Sequence, residues 1–168
     1  MKKILLIIIL FFTYTNAQAG CDDALGDGVE YTNCQFSDAQ DLKGSYLPNS
    51  NLSFARFIQV NFDKSIILNS ILAFGNFSES SFVRANLYES NLQGGNFEKS
   101  DFSSSNLTRV NFTGASLIEV NFKNSNLFEA NLTGANILNA NFEGANLNNA
   151  IWTDGKKCGI NSIGVCKN

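Results

Sequence analysis

The run Ser80-Ser81-Phe82-Val83-Arg84-Ala85-Asn86-Leu87-Tyr88-Glu89-Ser90-Asn91-Leu92-Gln93-Gly94-Gly95-Asn96-Phe97-Glu98-Lys99-Ser100-Asp101-Phe102 sets a large apolar residue at every fifth position. Outward in both directions the spacing holds without a gap from Leu42 to Trp152, twenty-three positions in succession. Two residues before each stands Ser, Ala, Gly or Val, with Gln40 the one exception. Neither a helical period of 3.6 nor a strand period of 2 gives this pattern. A fixed short repeat that demands one large and one small residue marks a solenoid, in which each unit buries its apolar face against the next.

The length of one coil can be read as well. At intervals of twenty, Phe62, Phe82, Phe102, Phe122 and Phe142 fall in one row behind Leu42. A second row holds Leu47, Ile67, Leu87, Leu107, Leu127 and Leu147; a third holds Phe57, Phe77 and Phe97, then Leu117 and Ile137. Aromatic rings in neighbouring coils pack well when offset, so the Phe ladder supports four units per coil. Charges repeat at the same interval with alternating sign: Glu79, Lys99 and Glu119; Glu89, Arg109 and Glu129; Lys43 with Asp63; Lys123 with Glu143. Each exposed pair contributes at most about 1 kcal/mol. Asn86, Asn106, Asn126 and Asn146 form a column suited to a side-chain amide ladder.

Stretches such as Ala130-Asn131-Leu132-Thr133-Gly134 and Ala145-Asn146-Leu147-Asn148-Asn149 resemble the consensus of the pentapeptide-repeat family. The resemblance covers Gln40 to Asp154. It implies an all-β fold, a right-handed quadrilateral β-helix with four pentapeptides per coil and nearly six coils. The expected organisation is a signal peptide over 1–19, an N-terminal cap over 20–39, the solenoid over 40–154 and a C-terminal cap over 155–168. Phe36 sits one place early for the repeat, which sets the first cap off from it. Pro48, lacking an amide proton, is expected at an outward corner with no ladder bond to lose.

Lys2 and Lys3 followed by nine apolar residues, Ile4 to Phe12, and by Ala17-Gln18-Ala19 have the form of a cleavable export signal. Nine apolar residues fall short of the roughly 20 that span a bilayer. Cleavage after Ala19 leaves 149 of the 168 residues and no transmembrane segment. The rival reading lipidates Cys21, because Ala19-Gly20-Cys21 resembles the end of a lipobox; Gln18 stands where that motif wants an apolar residue. Loss of the two leader lysines lowers 12 basic residues to 10 against 15 acidic ones, a net charge near −5.

Four cysteines flank the array and none lies within it, and an even count in an exported chain points to disulfides. Coils stacked about 4.8 Å apart separate the ends of such an array by roughly 25 Å, whereas bridged Cα atoms lie within about 7 Å. The pairs are therefore Cys21–Cys34 and Cys158–Cys166, one clasp at each end. Lipidation of Cys21 would orphan Cys34.

No catalytic constellation is present. Histidine is absent, which removes the commonest general base and metal ligand. Carboxylates are scattered among cations and do not cluster into an oxygen cage. Gly94, Gly95, Gly114, Gly134 and Gly144 sit at repeat positions where a tight corner suits glycine, so they form no phosphate loop. No cofactor, metal or nucleic acid is expected, and the chain is not expected to be an enzyme. Thr113, Thr133 and Thr153 make only one column, too narrow for the two-dimensional threonine array of an ice-binding face.

Near the N-terminal end Tyr46, Phe54, Ile58, Ile66, Leu68, Ile71 and Phe74 are expected to point outward, an apolar patch of the kind that marks interfaces. The segment Gly20 to Ala39 is the alternative occupant of that patch. Tyr88 and Phe128 share a column and read as isolated surface aromatics. The sequence thus describes an exported, periplasmic or extracellular, non-enzymatic module, monomer or homodimer, that presents a rigid surface to a protein, envelope or glycan partner. The resemblance also offers a DNA-mimicking inhibitor of a type II topoisomerase. Alternating charge columns and the export signal oppose that alternative.

Overall fold

The computed structural model describes residue 21, residues 24–36 and residues 38–167. The expected leader over 1–19 lies outside these residues. Parallel single-residue bridges join Asp41 to Asn61, Tyr46 to Ile66, Asn51 to Ile71, and so on to Asn131 with Ile151. Each partner lies twenty positions along the chain and bridges recur every five residues, so four units close one turn of the coil. No extended strand forms among the described residues, contrary to what an all-β reading leads one to expect. The reason is local: a unit of five residues devotes two of them to a turn, which leaves one residue to bridge.

Every backbone amide of a unit can be traced. In the unit around Leu87, the Asn86 amide donates backward to Ser65 O (2.9 Å) and the Leu87 amide forward to Asn106 O (2.9 Å). The Glu89 amide reaches Thr108 O (3.0 Å), and the Ser90 amide closes the turn on Leu87 O (3.0 Å). The remaining amide, on Tyr88, is taken by the side-chain carbonyl of Asn86 (3.2 Å). This last bond explains the recurrent asparagine. An Asx turn supplies the one acceptor that the coil's backbone cannot, and a buried or half-buried amide needs one. The same bond recurs from Gln93 to Asn91 (3.1 Å), Glu98 to Asn96 (3.0 Å) and Thr113 to Asn111 (3.0 Å).

The turn also sets the backbone of its third residue in the left-handed region, with φ 59° at Glu79 and Arg84 and 56° at Glu89. Gly94, Gly114, Gly134 and Gly144 occupy this corner. Gly95 does not, which corrects its assignment to a corner. It fills the small interior position, where a Cβ would come within 2.6 Å of the Phe97 ring. Gly75 is held in the same way by Phe77, at 2.5 Å.

The interior is two aromatic ladders in contact. Phe62, Phe82, Phe102, Phe122 and Phe142 stack in sequence at ring-centroid distances of 4.9, 4.6, 5.6 and 5.0 Å. Phe36, Phe57, Phe77 and Phe97 stack beside them at 4.1, 5.4 and 5.2 Å. Edge-to-face contacts such as Phe97–Phe102 (5.7 Å) knit the two ladders together. Serines at the small position, Ser65 apart, bond into the backbone: Ser80 Oγ donates to Phe57 O (2.6 Å) and accepts from the Val60 amide (3.0 Å).

The described part of 24–36 lies on the end of the coil and continues it. The Tyr31 amide donates to Asn51 O (2.7 Å) and the Phe36 amide to Arg56 O (3.1 Å). Tyr31 is buried above Leu52, and Glu30 and Gln35 bridge Asn51 and Arg56 at an offset of 21. The offset returns to 20 by Asp41, so one extra residue lies between Phe36 and Ala39. This accounts for the early phenylalanine. Pro48 does occupy a turn position whose amide makes no ladder bond, but it is buried and accepts the Gly28 amide (2.9 Å), so it is no outward corner.

At the other end the chain reverses after Thr153 and runs back antiparallel, with Lys157 bridging Ile151 and Ile163 bridging Asn146. Leu147 and Asn149 amides donate to Ser162 O (2.8 Å) and Cys158 O (3.1 Å). Cys21 is bridged to Cys34 and Cys158 to Cys166, with Cα atoms 5.5 and 5.0 Å apart.

Candidate binding surface

Outward positions of each unit fall into columns that run along the rod. Of the seven apolar residues singled out near the N-terminal end, Tyr46, Phe54, Ile66, Ile71 and Phe74 are exposed, and Ile58 and Leu68 are half-buried. The described part of the first segment sits on the coil's end and leaves Phe54 56% and Phe74 52% accessible.

These residues occupy positions where the fold favours something else. Ile66 and Ile71 stand where the Asx turn calls for asparagine, and an alkyl side chain accepts no hydrogen bond from the amides of Leu68 and Ala73. Phe54 and Phe74 stand at left-handed corners, φ 58° and 59°, where a bulky side chain is strained. Farther along the same corner column come Gly94, Gly114 and Gly134, the residues that suit it. The two rings stack with centroids 5.3 Å apart and planes 16° apart. The Phe74 ring then occupies the space over Gly94, where a Cβ would meet it at 2.5 Å. Local rules broken together at one place are a mark of function.

The wall beyond is uncharged. Outward residues of the units around Leu52, Leu72, Leu92, Phe112 and Leu132 are Asn, Ser, Ala, Gln, Thr, Gly, Ile71 and the two phenylalanines, with no ionisable group. Asn111 Nδ2 donates to Asn91 Oδ1 (3.2 Å), and Thr113 Oγ1 to Asn111 Oδ1 (2.6 Å). Thr133 bonds Asn131 in the same way (2.6 Å). Amides and hydroxyls are thus held in fixed orientation.

Charge is confined to other columns. Arg109 bridges Glu89 (3.0 Å) and Glu129 (2.7 Å) and also donates to Tyr88 Oη (3.2 Å). The Tyr88 hydroxyl and then the Arg109 guanidinium hold the Glu89 carboxyl below its usual range. The Glu89 carboxylate in turn raises the Tyr88 phenol. Lys123 meets Glu143 at 2.9 Å. Lys43 with Asp63, earlier in the Lys123–Glu143 column, and the column of Glu79, Lys99 and Glu119 form no ion pair among the described residues. Asp63 accepts from the Ser81 hydroxyl and the Val83 amide instead of meeting Lys43, and Glu79 accepts from Gln59 Nε2 (2.9 Å). The asparagine column bonds between Asn106 and Asn86 and between Asn146 and Asn126, both 2.9 Å, while Asn126 turns to Thr108.

Among the described residues no group of His, Cys, Asp or Glu could hold a metal, and no helix is long and apolar enough to cross a membrane.

The solved structure of QnrB1, a plasmid-mediated fluoroquinolone resistance protein, is similar at a TM-score of 0.68 and 23% identity, covering 74% of this chain. This chain spans 65% of the length of QnrB1. A pentapeptide repeat protein from the Arabidopsis thaliana thylakoid lumen is 21% identical over 71% of this chain and 70% of its own, with a TM-score of 0.39. No individually curated protein matches the sequence. The profile of the family described as Pentapeptide repeats matches in 8 copies over residues 32–67, 72–103, 105–144 and 125–151. With its twenty-residue register, its large residue at every fifth position and this match, the chain belongs to the pentapeptide-repeat family.

Proposed function

We propose that the protein is an exported, non-enzymatic binding module that holds the Phe54–Phe74 region and its adjoining wall toward a partner. The observation that carries this reading is the coincidence of exposed apolar residues with positions where the fold favours Asn or Gly. Selection for stability alone would place those residues there instead. The two bridged cysteine pairs support an oxidising compartment, and the leader-like start of the sequence supports export. The twenty-residue register, together with the likeness to QnrB1, supports a right-handed coil of four sides with nearly six turns.

Crosslinking and pull-down from exported fractions tests the module, comparing the wild type with Phe54→Asp/Phe74→Asp. Recovery of a partner by the wild type and its loss from the double variant is the expected outcome. Equal recovery from both removes the patch from the mechanism. Mass spectrometry of the mature N-terminus tests export, since a chain beginning at Gly20 is expected and a lipid on Cys21 replaces secretion with anchoring.

The resemblance to the pentapeptide-repeat family also offers a second reading, inhibition of a type II topoisomerase by a rod that imitates DNA. Against it stand the paired columns, where Arg109 lies between two glutamates and Lys123 meets Glu143, because a duplex mimic needs unbroken negative stripes. A DNA-supercoiling assay with the purified protein separates the two readings.

A further inference from the structure

From the wall that joins Phe54 and Phe74 to the Asn–Thr columns, we infer that the partner is a neutral polysaccharide lying along the rod. The inference rests on the reading of the protein as an exported binding module and names the chemistry of its ligand.

Charge is the first argument. From Asn51 to Gly134 the outward positions of this wall carry no ionisable side chain. The cations at its borders, Arg56 and Arg109, are engaged by one and by two carboxylates. A uronic acid or a phosphate finds no counter-charge here, whereas a neutral sugar loses no ionic hydration by docking.

The second argument is the order of groups. A pyranose has a C–H face that lies on an aromatic ring and a rim of hydroxyls that needs donors and acceptors. The wall offers the stacked pair Phe54–Phe74, then fixed amides at Asn91 and Asn111 and the Thr113 hydroxyl. The Asn111 carbonyl is occupied by the Thr113 amide and hydroxyl, which leaves a second Nδ2 proton and the Thr113 lone pairs turned outward.

Repetition is the third. Coils follow each other at about 4.8 Å, close to the length of one pyranose in an extended chain. A strand lying along the rod therefore places about one sugar on each coil, from the coils of Phe54 and Phe74 to those of Asn91 and Asn111.

The experiment is co-sedimentation of the purified, disulfide-bonded protein with insoluble cellulose, chitin and β-1,3-glucan, with pectate as the anionic comparison, at low and high salt. Retention on at least one neutral polymer, unaltered by salt, is expected. Phe54→Gly/Phe74→Gly should weaken it about tenfold, the effect of losing two ring contacts, with an unchanged circular dichroism spectrum because glycine suits both corners. Thr113→Glu/Thr133→Glu should weaken it too, while Tyr88→Thr/Phe128→Thr on another column should not. Failure of every neutral polymer to retain the wild type, equal retention of the glycine variant, or salt-sensitive retention on pectate each overturns the inference. Should crosslinking recover a protein partner while no polysaccharide binds, the binding module stands and the glycan falls. Recovery of nothing by either route removes both.

Discussion

At the scale of the residue, each five-residue unit has one amide that no backbone carbonyl reaches, and the asparagine before the large residue accepts it. Where isoleucine replaces it, the bond is missing. Ile71→Asn should therefore raise stability by about 1 kcal/mol, read as a higher urea midpoint at constant slope. Ile66→Asn should do the same and extend the ladder that begins at Asn86. The interior shows the opposite sensitivity. Phe102→Ala opens a cavity between Phe82 and Phe122 and should cost about 3–5 kcal/mol. Gly75→Ala drives a methyl toward the Phe77 ring and should cost about 1–3 kcal/mol. Charge contributes a pH signature of known sign. The Glu89 carboxyl is depressed in the fold, so the stability that it lends is present above the ordinary carboxylate range and is lost as pH falls through the folded value. The raised Tyr88 phenol gives the reverse, stability present below its ordinary value and lost as pH rises past the folded one. Both groups lie at the surface, and Arg109 lowers the Glu89 carboxyl and the Tyr88 phenol alike, so Arg109→Ala should flatten the acid limb and extend the alkaline one in a denaturation series, and high salt should flatten the acid limb.

At the scale of the element, the unit rather than the strand is the building block, and this decides what could be read in advance. The large position was legible because an interior that narrow demands one big side chain per unit. The left-handed corner was not, because residues as different as Glu79, Arg84, Ser104 and Phe74 occupy it and only some units mark it with glycine. Gly95 misled for the same reason, since its role is clearance for Phe97 and not backbone freedom. The segment before Gln40 hid its kinship behind one extra residue, although Tyr31 and Phe36 keep the five-residue spacing between themselves. At the C-terminus the reversed segment holds the amides of Leu147, Asn149 and Trp152. Opening its clasp with Cys158→Ser/Cys166→Ser should speed hydrogen exchange at these three amides while Phe82 and Leu87 keep their protection. Uniform acceleration along the chain would show that the clasp supports the whole coil and not the end alone.

At the scale of the whole molecule, the candidate surface was partly legible. Apolar residues at outward positions stand out against the asparagines that surround them. What sequence could not reveal is that the described part of the first segment lies on the end of the coil and leaves Phe54 and Phe74 exposed, its register slipped by one residue. Nor could it separate columns whose charges meet, as at Arg109, from the column of Glu79, Lys99 and Glu119, where Glu79 takes Gln59 instead.

The register has one further implication, for how such a chain can change in length. Removal of Asn86 to Ser105 would excise one closed turn and leave Asn106 onward in the same phase as before, so Phe82 would find the Phe122 ring above it and Phe77 would meet Leu117, as Phe97 does now. Removal of a single five-residue unit would rotate everything downstream by a quarter turn, place leucine over phenylalanine and carry the threonines away from Phe74. The first deletant should unfold cooperatively and retain its ligand, and the second should lose the ligand even if it folds. Gene duplication and loss in this lineage are therefore expected to proceed in whole frames of four units, a constraint that the protein's own closure imposes on its ancestry.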